Sequence, residues 1–198
     1  MAAEDSINEA GIAFLSGERV ILRPLEAVDI AGNYARWIND QAADVFTEHA
    51  RLPWSIADLQ RYAEAQRGIR NALHLAVIEK ASGVHIGNVA IQGIDWMARR
   101  GEFVILIGDV QHQGKGFGRE AASLIIDHAF KRLSLNRISL GVRADHVAAI
   151  GLYRSLGFQD EGRLREHGID DGRPVDALLM GLLRREWRPA AGQSNSGG

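Results

Sequence analysis

The stretch Ile105-Leu106-Ile107-Gly108-Asp109-Val110-Gln111-His112-Gln113-Gly114-Lys115-Gly116-Phe117-Gly118-Arg119 is the part of this 198-residue chain best suited to chemistry. An apolar strand-like run enters a loop with glycine at alternate positions, and the loop opens a helix-periodic segment. Glycine lets backbone N–H groups approach a ligand and tolerates positive φ. The helix start behind it presents unpaired amides and the positive end of a dipole. Lys115 and Arg119 add formal charge. Together these features make an anion cradle sized for a phosphate or pyrophosphate. Two familiar cradles do not fit. Gly108 and Gly114 stand one residue too far apart for G-x-x-x-x-G-K-[ST], and Lys115 is followed by Gly116. The dinucleotide pattern G-x-G-x-x-G also fails, because Gly118 follows Gly116 one residue too early. A glycine-rich turn ahead of a purely structural helix is the plain alternative.

The elements that must position this loop are legible from periodicity. Arg19 to Arg23, ahead of Pro24, is a strand ended by proline's missing donor. Ala31 to Asn39 and Ser55 to Arg67 are short helices, the second with Ser55 as N-cap and Asp58 three residues on. Leu73 to Glu79, Val84 to Trp96 and Glu102 to Ile107 are strands separated by turn residues, an antiparallel meander. Gly118 to Leu133 repeats apolar residues at helical spacing, and Arg137 to Val142 is a strand. Ala148 to Leu156 is a short helix with Gly157 placed to end it. Phe158 to His167 and Pro174 to Leu183 flank Asp170-Asp171-Gly172, a hairpin signal. This order predicts an α/β (α+β mixed sheet) fold, a central, mostly antiparallel sheet with helices on both faces. One domain is expected over 17–188, between flexible tails at 1–16 and 189–198.

Composition removes several function classes. Lys plus Arg total 23 and Asp plus Glu 25, a formal charge of −2, without the basic excess of a nucleic-acid binder. There are no cysteines, which excludes disulfides, thiolate zinc sites, iron–sulfur clusters and cysteine nucleophiles. The histidines His49, His74, His85, His112, His128 and His167 show no H-x-x-x-H pair; they are read as structural or exposed, and no metal is expected. No long apolar run predicts a membrane span, and Met1 to Gly17 is acidic rather than a basic, apolar signal, so a cytoplasmic protein is expected.

Gln113-Gly114-Lys115-Gly116-Phe117-Gly118 resembles the Q/R-x-x-G-x-G/A signature of the GNAT N-acetyltransferase superfamily, and Ala149 to Phe158 resembles its A-I-x-L-Y-x-x-L-G-F segment. Two motifs in order, separated by a helix and a strand, are far more specific than either alone. The resemblance covers about 20–185, and Leu22-Arg23-Pro24-Leu25 with Leu183 to Trp187 suggests the branch of ribosomal-protein, spermidine and amino-sugar acetyltransferases. It implies a GNAT-like acyl-CoA N-acyltransferase fold and acetyl-CoA as co-substrate. By this resemblance Gln113 to Gly118, with Arg119, grip the pyrophosphate, and Ile105, Leu106 and Ile107 pair with the pantetheine arm. The family usually has Asn where His146 stands, a contact to the coenzyme arm that imidazole can replace.

The same resemblance places a general acid at Tyr153 and a base or water-holding carboxylate at Glu102. From the residues alone, Tyr153 is equally a core aromatic on its helix's apolar face, and Glu102 a solvated strand-end charge. An aliphatic amine of pKa ~10 is mostly protonated at neutral pH, so acylating it calls for such a base. On the acceptor side, Phe46-Thr47-Glu48-His49-Ala50-Arg51 is unusually polar and aromatic for a connector. Glu48 can bind an ammonium and Arg51 a phosphate or carboxylate, with His49 between them; both charges are otherwise simply solvated. The expected activity is acetyl transfer from acetyl-CoA to a primary amine, on a small molecule or a peptide, by direct attack on the thioester. The alternatives are a non-catalytic acyl-CoA-binding regulatory module and a structural domain. Neither nucleic acid nor a membrane is expected as partner, and a homodimer is allowed but marked by no apolar stripe.

Overall fold

Alternating apolar residues build the sheet, and they do so on two faces. The computed structural model describes residues 12–40, 52–67 and 70–189. Its strands are β1 (Leu15–Ser16), β2 (Val20–Pro24), β3 (Leu73–Glu79), β4 (His85–Asp95), β5 (Arg100–Ile107), β6 (Arg137–Arg143), β7 (Gln159–Asp170) and β8 (Arg173–Leu183). They form one sheet in the order β1-β2-β3-β4-β5-β6-β8-β7. Every neighbouring pair is antiparallel except β5 and β6, which run parallel. Between those two lies a crossover through the long helix α4 (Phe117–Lys131). A second helix, α5 (Val147–Ser155), leads from β6 to the β7–β8 hairpin.

On one face Val20, Leu22, Leu75, Val77, Val89, Ile91 and Phe103 pack against Ala121, Ile125, Ala129 and Phe130 of α4. Ile150, Tyr153 and Leu156 of α5 join the same cluster. The intervening residues Ile21, Ala76 and Ile78 face the other way. Leu25 links them to a third cluster, Ile30, Ile38, Leu59 and Ala63, from the N-terminal helices. Period-2 strands between helices on both faces are thus the observed layering. At the tip of β7–β8, Asp171 and Gly172 both take positive φ, as a two-residue hairpin turn requires.

Several boundaries differ from expectation, β7 among them, which runs on to Asp170 rather than ending at His167. Leu15–Ser16, expected to be part of a flexible tail, pairs with Leu22 and Ile21 of β2. Two residues are too few to show alternation in sequence. The first helix begins early: α1 (Ala27–Asp29) runs through a π-helical turn (Ile30–Tyr34) into α2 (Ala35–Asn39), broken at Gly32. Its start is set by a capping box, in which the Glu26 N–H donates to Asp29 at 2.8 Å. α3 (Ile56–Arg67) starts as expected, with the Asp58 N–H donating to Ser55 Oγ at 3.1 Å. β5 begins at Arg100 rather than Glu102.

Asp29 does more than cap. Arg23 donates to it twice, at 2.6 and 2.9 Å, and both side chains are buried. Burial alone pushes the Asp29 carboxyl up, but the bonds from Arg23 and the Glu26 backbone outweigh it and hold the group below its ordinary value. This pair fixes α1 onto the end of β2. The helical turn it starts carries Trp37, which lies against the backbone of Gly108; a β-carbon there would fall inside the indole ring. Trp37 also leans on the His85 ring at 4.9 Å. The loop after β5 therefore leaves the sheet under an aromatic clamp.

Candidate active site

The parallel pair β5–β6 is short. Arg100 pairs with Arg137, Gly101 with Ile138 and Glu102 with Ser139, and there the pairing ends. β5 stays on β4 as far as Ile107, opposite Gly87, and β6 stays on β8 as far as Arg143, opposite Ala177. The two strands therefore part after Glu102 and Ser139. Along the opened edge burial stops alternating: Val104, Ile105, Leu106 and Ile107 are all half-buried.

At the wide end of the opening stands the glycine loop. Asp109 caps a 3-10 turn (Val110–His112) by accepting from the Gln111 N–H at 2.9 Å, and Gln113 Nε2 donates to the Ile107 carbonyl at 2.8 Å. Gly114 and Gly116 take φ of +69° and +89°, a region that side chains with a β-carbon rarely occupy. Gly116 is the N-cap of α4 and no side chain caps the helix, so its first-turn amides point outward without a side-chain acceptor. Gly118 lies against the strand: a β-carbon there would stand 3.3 Å from Ile107 Cγ1. The glycine loop thus adjoins the opened edge of β5.

Arg19, at the entry to β2, buttresses this loop. Its guanidinium lies 3.9 Å above the Phe117 ring and donates to the Lys115 carbonyl at 2.8 Å. Its backbone N–H donates to Glu120 Oε1, also at 2.8 Å. Arg119 Nη2 reaches the Ser155 carbonyl at 3.5 Å, tying the start of α4 to the end of α5. His146 is the N-cap of α5, where Nδ1 accepts from the Ala149 N–H at 3.3 Å. An imidazole thus does the capping that an Asn side chain does well.

Tyr153 stands on α5, packed edge-on against Phe103 and Phe158 at 6.1 and 6.0 Å between ring centres. Burial pushes its phenol up to about 12. Among the described residues its hydroxyl has no hydrogen-bond partner, yet it is not one of the sealed, unpaired polar atoms, which are His85 Nδ1, Asn88 Nδ2 and His112 Nδ1. Oη therefore reaches open space. Tyr153 is thus a core aromatic whose hydroxyl is left unpaired.

Glu102 faces the other side of the sheet from Phe103. There it borders a cleft of about 270 Å³ with Tyr62 of α3, His74 of β3 and Gln92 of β4. Gln92 Nε2 donates to Glu102 Oε2 at 3.4 Å. Glu48, His49 and Arg51 lie outside the described residues. Tyr62, His74 and Gln92 are wall residues that sequence reasoning passed over. The signal for His74 and Gln92 was strand parity, which places them with Glu102 on one face only once the register is known. Among the described residues, no group of three or more His, Asp or Glu side chains gathers as a metal site, and no helix is long and apolar enough to cross a membrane.

A sheet parted beside an uncapped glycine loop, with a phenol on one face and a carboxylate on the other, is the arrangement of an acyl-CoA-dependent acyltransferase. The acetyltransferase (GNAT) domain profile matches residues 19–159, and the chain belongs to that family. Among its relatives, N-acetyltransferase p20 of Bacillus licheniformis is 32% identical over 178 residues, covering 86% of this chain and 96% of that protein. Spermidine N(1)-acetyltransferase of Escherichia coli strain K12 is 29% identical over 175 residues, covering 87% and 90%. The crystal structure of spermidine N-acetyltransferase from Vibrio cholerae, in complex with CoA and spermine, superimposes with a TM-score of 0.78 at 28% identity, over 86% of this chain and 98% of that one. The protein is an acetyl-CoA-dependent N-acetyltransferase that acylates an amine.

Proposed function

We propose that the opening between β5 and β6 takes the coenzyme arm, that the cleft beside Glu102 takes the amine, and that the amine attacks the thioester directly. The observation that carries this reading is the parting of the strands after Glu102 and Ser139, next to the uncapped start of α4. In it the amides of Gln113 to Gly118 hold the pyrophosphate, and Lys115 and Arg119 add charge. Ile105, Leu106 and Ile107 receive the pantetheine amides as an added strand, with His146 at the far side of the arm. Acetyl-CoA supplies the activated acetyl group as a thioester. Glu102 anchors the ammonium by charge. The amine nitrogen bonds to the acetyl carbon as the carbon–sulfur bond breaks, and Tyr153 Oη gives its proton to the departing sulfur. The raised Tyr153 pKa supports this role, because the phenol stays protonated throughout the neutral range.

The acceptor is a primary amine on a small molecule or a peptide, and the spermidine acetyltransferases among the relatives put polyamines in the first panel to test. The working protein is one cytoplasmic acetyltransferase domain over 17–188, assembled as a homo-oligomer; a solved relative from Vibrio cholerae is dodecameric. The test is an amine panel with mass detection of the acetylated product, beside calorimetry of acetyl-CoA binding. Binding with turnover of at least one amine is the expected result, and a folded protein that binds no acetyl-CoA overturns the reading.

A further inference from the structure

We propose that His74 is a catalytic residue of the acceptor site, its neutral imidazole taking the proton that the bound ammonium must lose before nitrogen can attack. The proposal rests on the reading of the cleft as the acceptor site. His74 shares that cleft with Glu102, Gln92 and Tyr62. It pairs with Ala90 of β4, one side-chain row from the Gln92–Glu102 rung and on the same face. That row continues to Val104, the first residue on this face of β5 beyond the last β5–β6 rung. His74 therefore stands level with the start of the strand edge that receives the thioester arm, whereas Glu102 stands at the closed end.

The ring is half-buried and has no hydrogen-bond partner among the described residues, so neither nitrogen is committed to the fold. Burial holds its pKa below the ordinary 6.5, with no contribution from a neighbouring charge. Tyr62 from α3 and Glu102 from β5 are the other titratable groups lining the cleft among the described residues. His74 and Glu102 line the same cleft, and no hydrogen bond or ion pair joins them among the described residues. The roles then divide by chemistry. A carboxylate draws an ammonium by charge but is ordinarily a weaker base than imidazole by about two pKa units. A neutral imidazole is nearer the operating pH, where base catalysis is most efficient.

The protons balance. The ammonium gives one to a ring nitrogen of His74, which releases it to water after turnover. The nitrogen gives up its second as the amide forms, and this replaces the proton that Tyr153 passes to sulfur. One amine proton thus ends on the thiol and one in solvent.

The test measures kcat/KM between about pH 5 and 9 for the wild type, His74→Gln and Gln92→Trp, with spermidine, glucosamine and alanyl-alaninamide as acceptors. The wild-type value is expected to rise with pH through the His74 pKa. His74→Gln is expected to lose that limb and about 10²-fold in kcat/KM at neutral pH, with acetyl-CoA affinity unchanged by calorimetry. A His74→Gln enzyme with the wild-type profile overturns the proposal. Gln92→Trp separates the two levels. If it raises the amine KM while His74→Gln is silent, the cleft stands and His74 falls; if both are silent, both fall. A second readout uses the wild type alone, labelled with carbon-13 at the histidine ring. The His74 signal is expected to titrate below 6.5 and to move when spermidine is added; a signal indifferent to all three amines overturns the proposal without any variant.

Discussion

Glu102 and Ser139 are the last rung that β5 and β6 share. Up to that rung the two strands are an ordinary parallel pair joined by a crossover helix, and past it each keeps only its outer partner. The next side chain on β5, Phe103, faces α5 and touches Tyr153, whereas Glu102 faces the cleft. At the closed end of the opening the Tyr153 phenol and the Glu102 carboxylate therefore lie on opposite faces of the sheet.

Tyr153→Phe keeps the ring that packs on Phe103 and Phe158 and removes the proton. Turnover is expected to fall about 10²-fold, toward the lower end for general acids, because a coenzyme A thiolate with a thiol pKa of about 8.5 leaves fairly well unassisted. Acetyl-CoA affinity should change by less than about 3-fold. With its pKa at about 12, Tyr153 loses its proton only well above neutrality, so the wild type should show no loss of kcat below about pH 10 that is traceable to this group. Single-turnover kinetics decides: a Phe variant with wild-type chemistry returns Tyr153 to packing alone.

Gly116→Val should weaken acetyl-CoA binding at least ~10-fold, about 1.4 kcal/mol. Two effects add. The φ of +89° strains a branched residue, and the side chain obstructs the first-turn amides of α4. Gly114→Ala is the control, since φ is +69° there but nothing lies within 4 Å of its β-carbon. Calorimetry of the pair separates backbone strain from obstruction, and equal affinity in wild type and Gly116→Val would remove the cradle.

Arg19→Ala removes the guanidinium that holds the Lys115 carbonyl and covers Phe117. The expected result is a rise of about 3- to 10-fold in the acetyl-CoA Kd, consistent with loss of one charge-assisted bond, and an unchanged acceptor KM. Arg19→Lys should restore only part of it, because an ammonium lacks the planar face that stacks on the ring. A rise confined to the acceptor KM would contradict the assignment of Arg19 to the loop.

Asp29→Asn leaves Arg23 buried without its counter-charge, a loss expected to cost about 3 kcal/mol in urea unfolding at neutral pH. The pH dependence has a definite sign. The Asp29 pKa is lower in the folded state than its ordinary 3.8, so its contribution is complete above 3.8 and is lost as pH falls through the lower, folded value. The stability gap between wild type and variant should therefore hold from pH ~7 to ~4 and close in stronger acid. A gap that closed already near neutrality would point to another group.

The amino-acid sequence alone determined the parts governed by local rules. Period-2 runs placed β3 at Leu73–Glu79 without a shift, helical spacing placed α4, and Asp171-Gly172 placed the final hairpin. Alternate glycines followed by a helix marked a loop with positive φ and a helix start without a side-chain cap, because these are properties of a few consecutive residues. Tertiary structure alone decided what depends on pairing between distant segments. The parting of β5 from β6 leaves no mark in either strand, since each remains fully paired on its outer side. The clamp of Trp37 on Gly108 joins a helix to a loop that only the sheet brings together. His74 was one of several histidines without a motif, and its place on the same face as Glu102, one side-chain row along, follows from strand register. Register is set by which residues meet across β3, β4 and β5, a long-range choice that no short window of sequence contains.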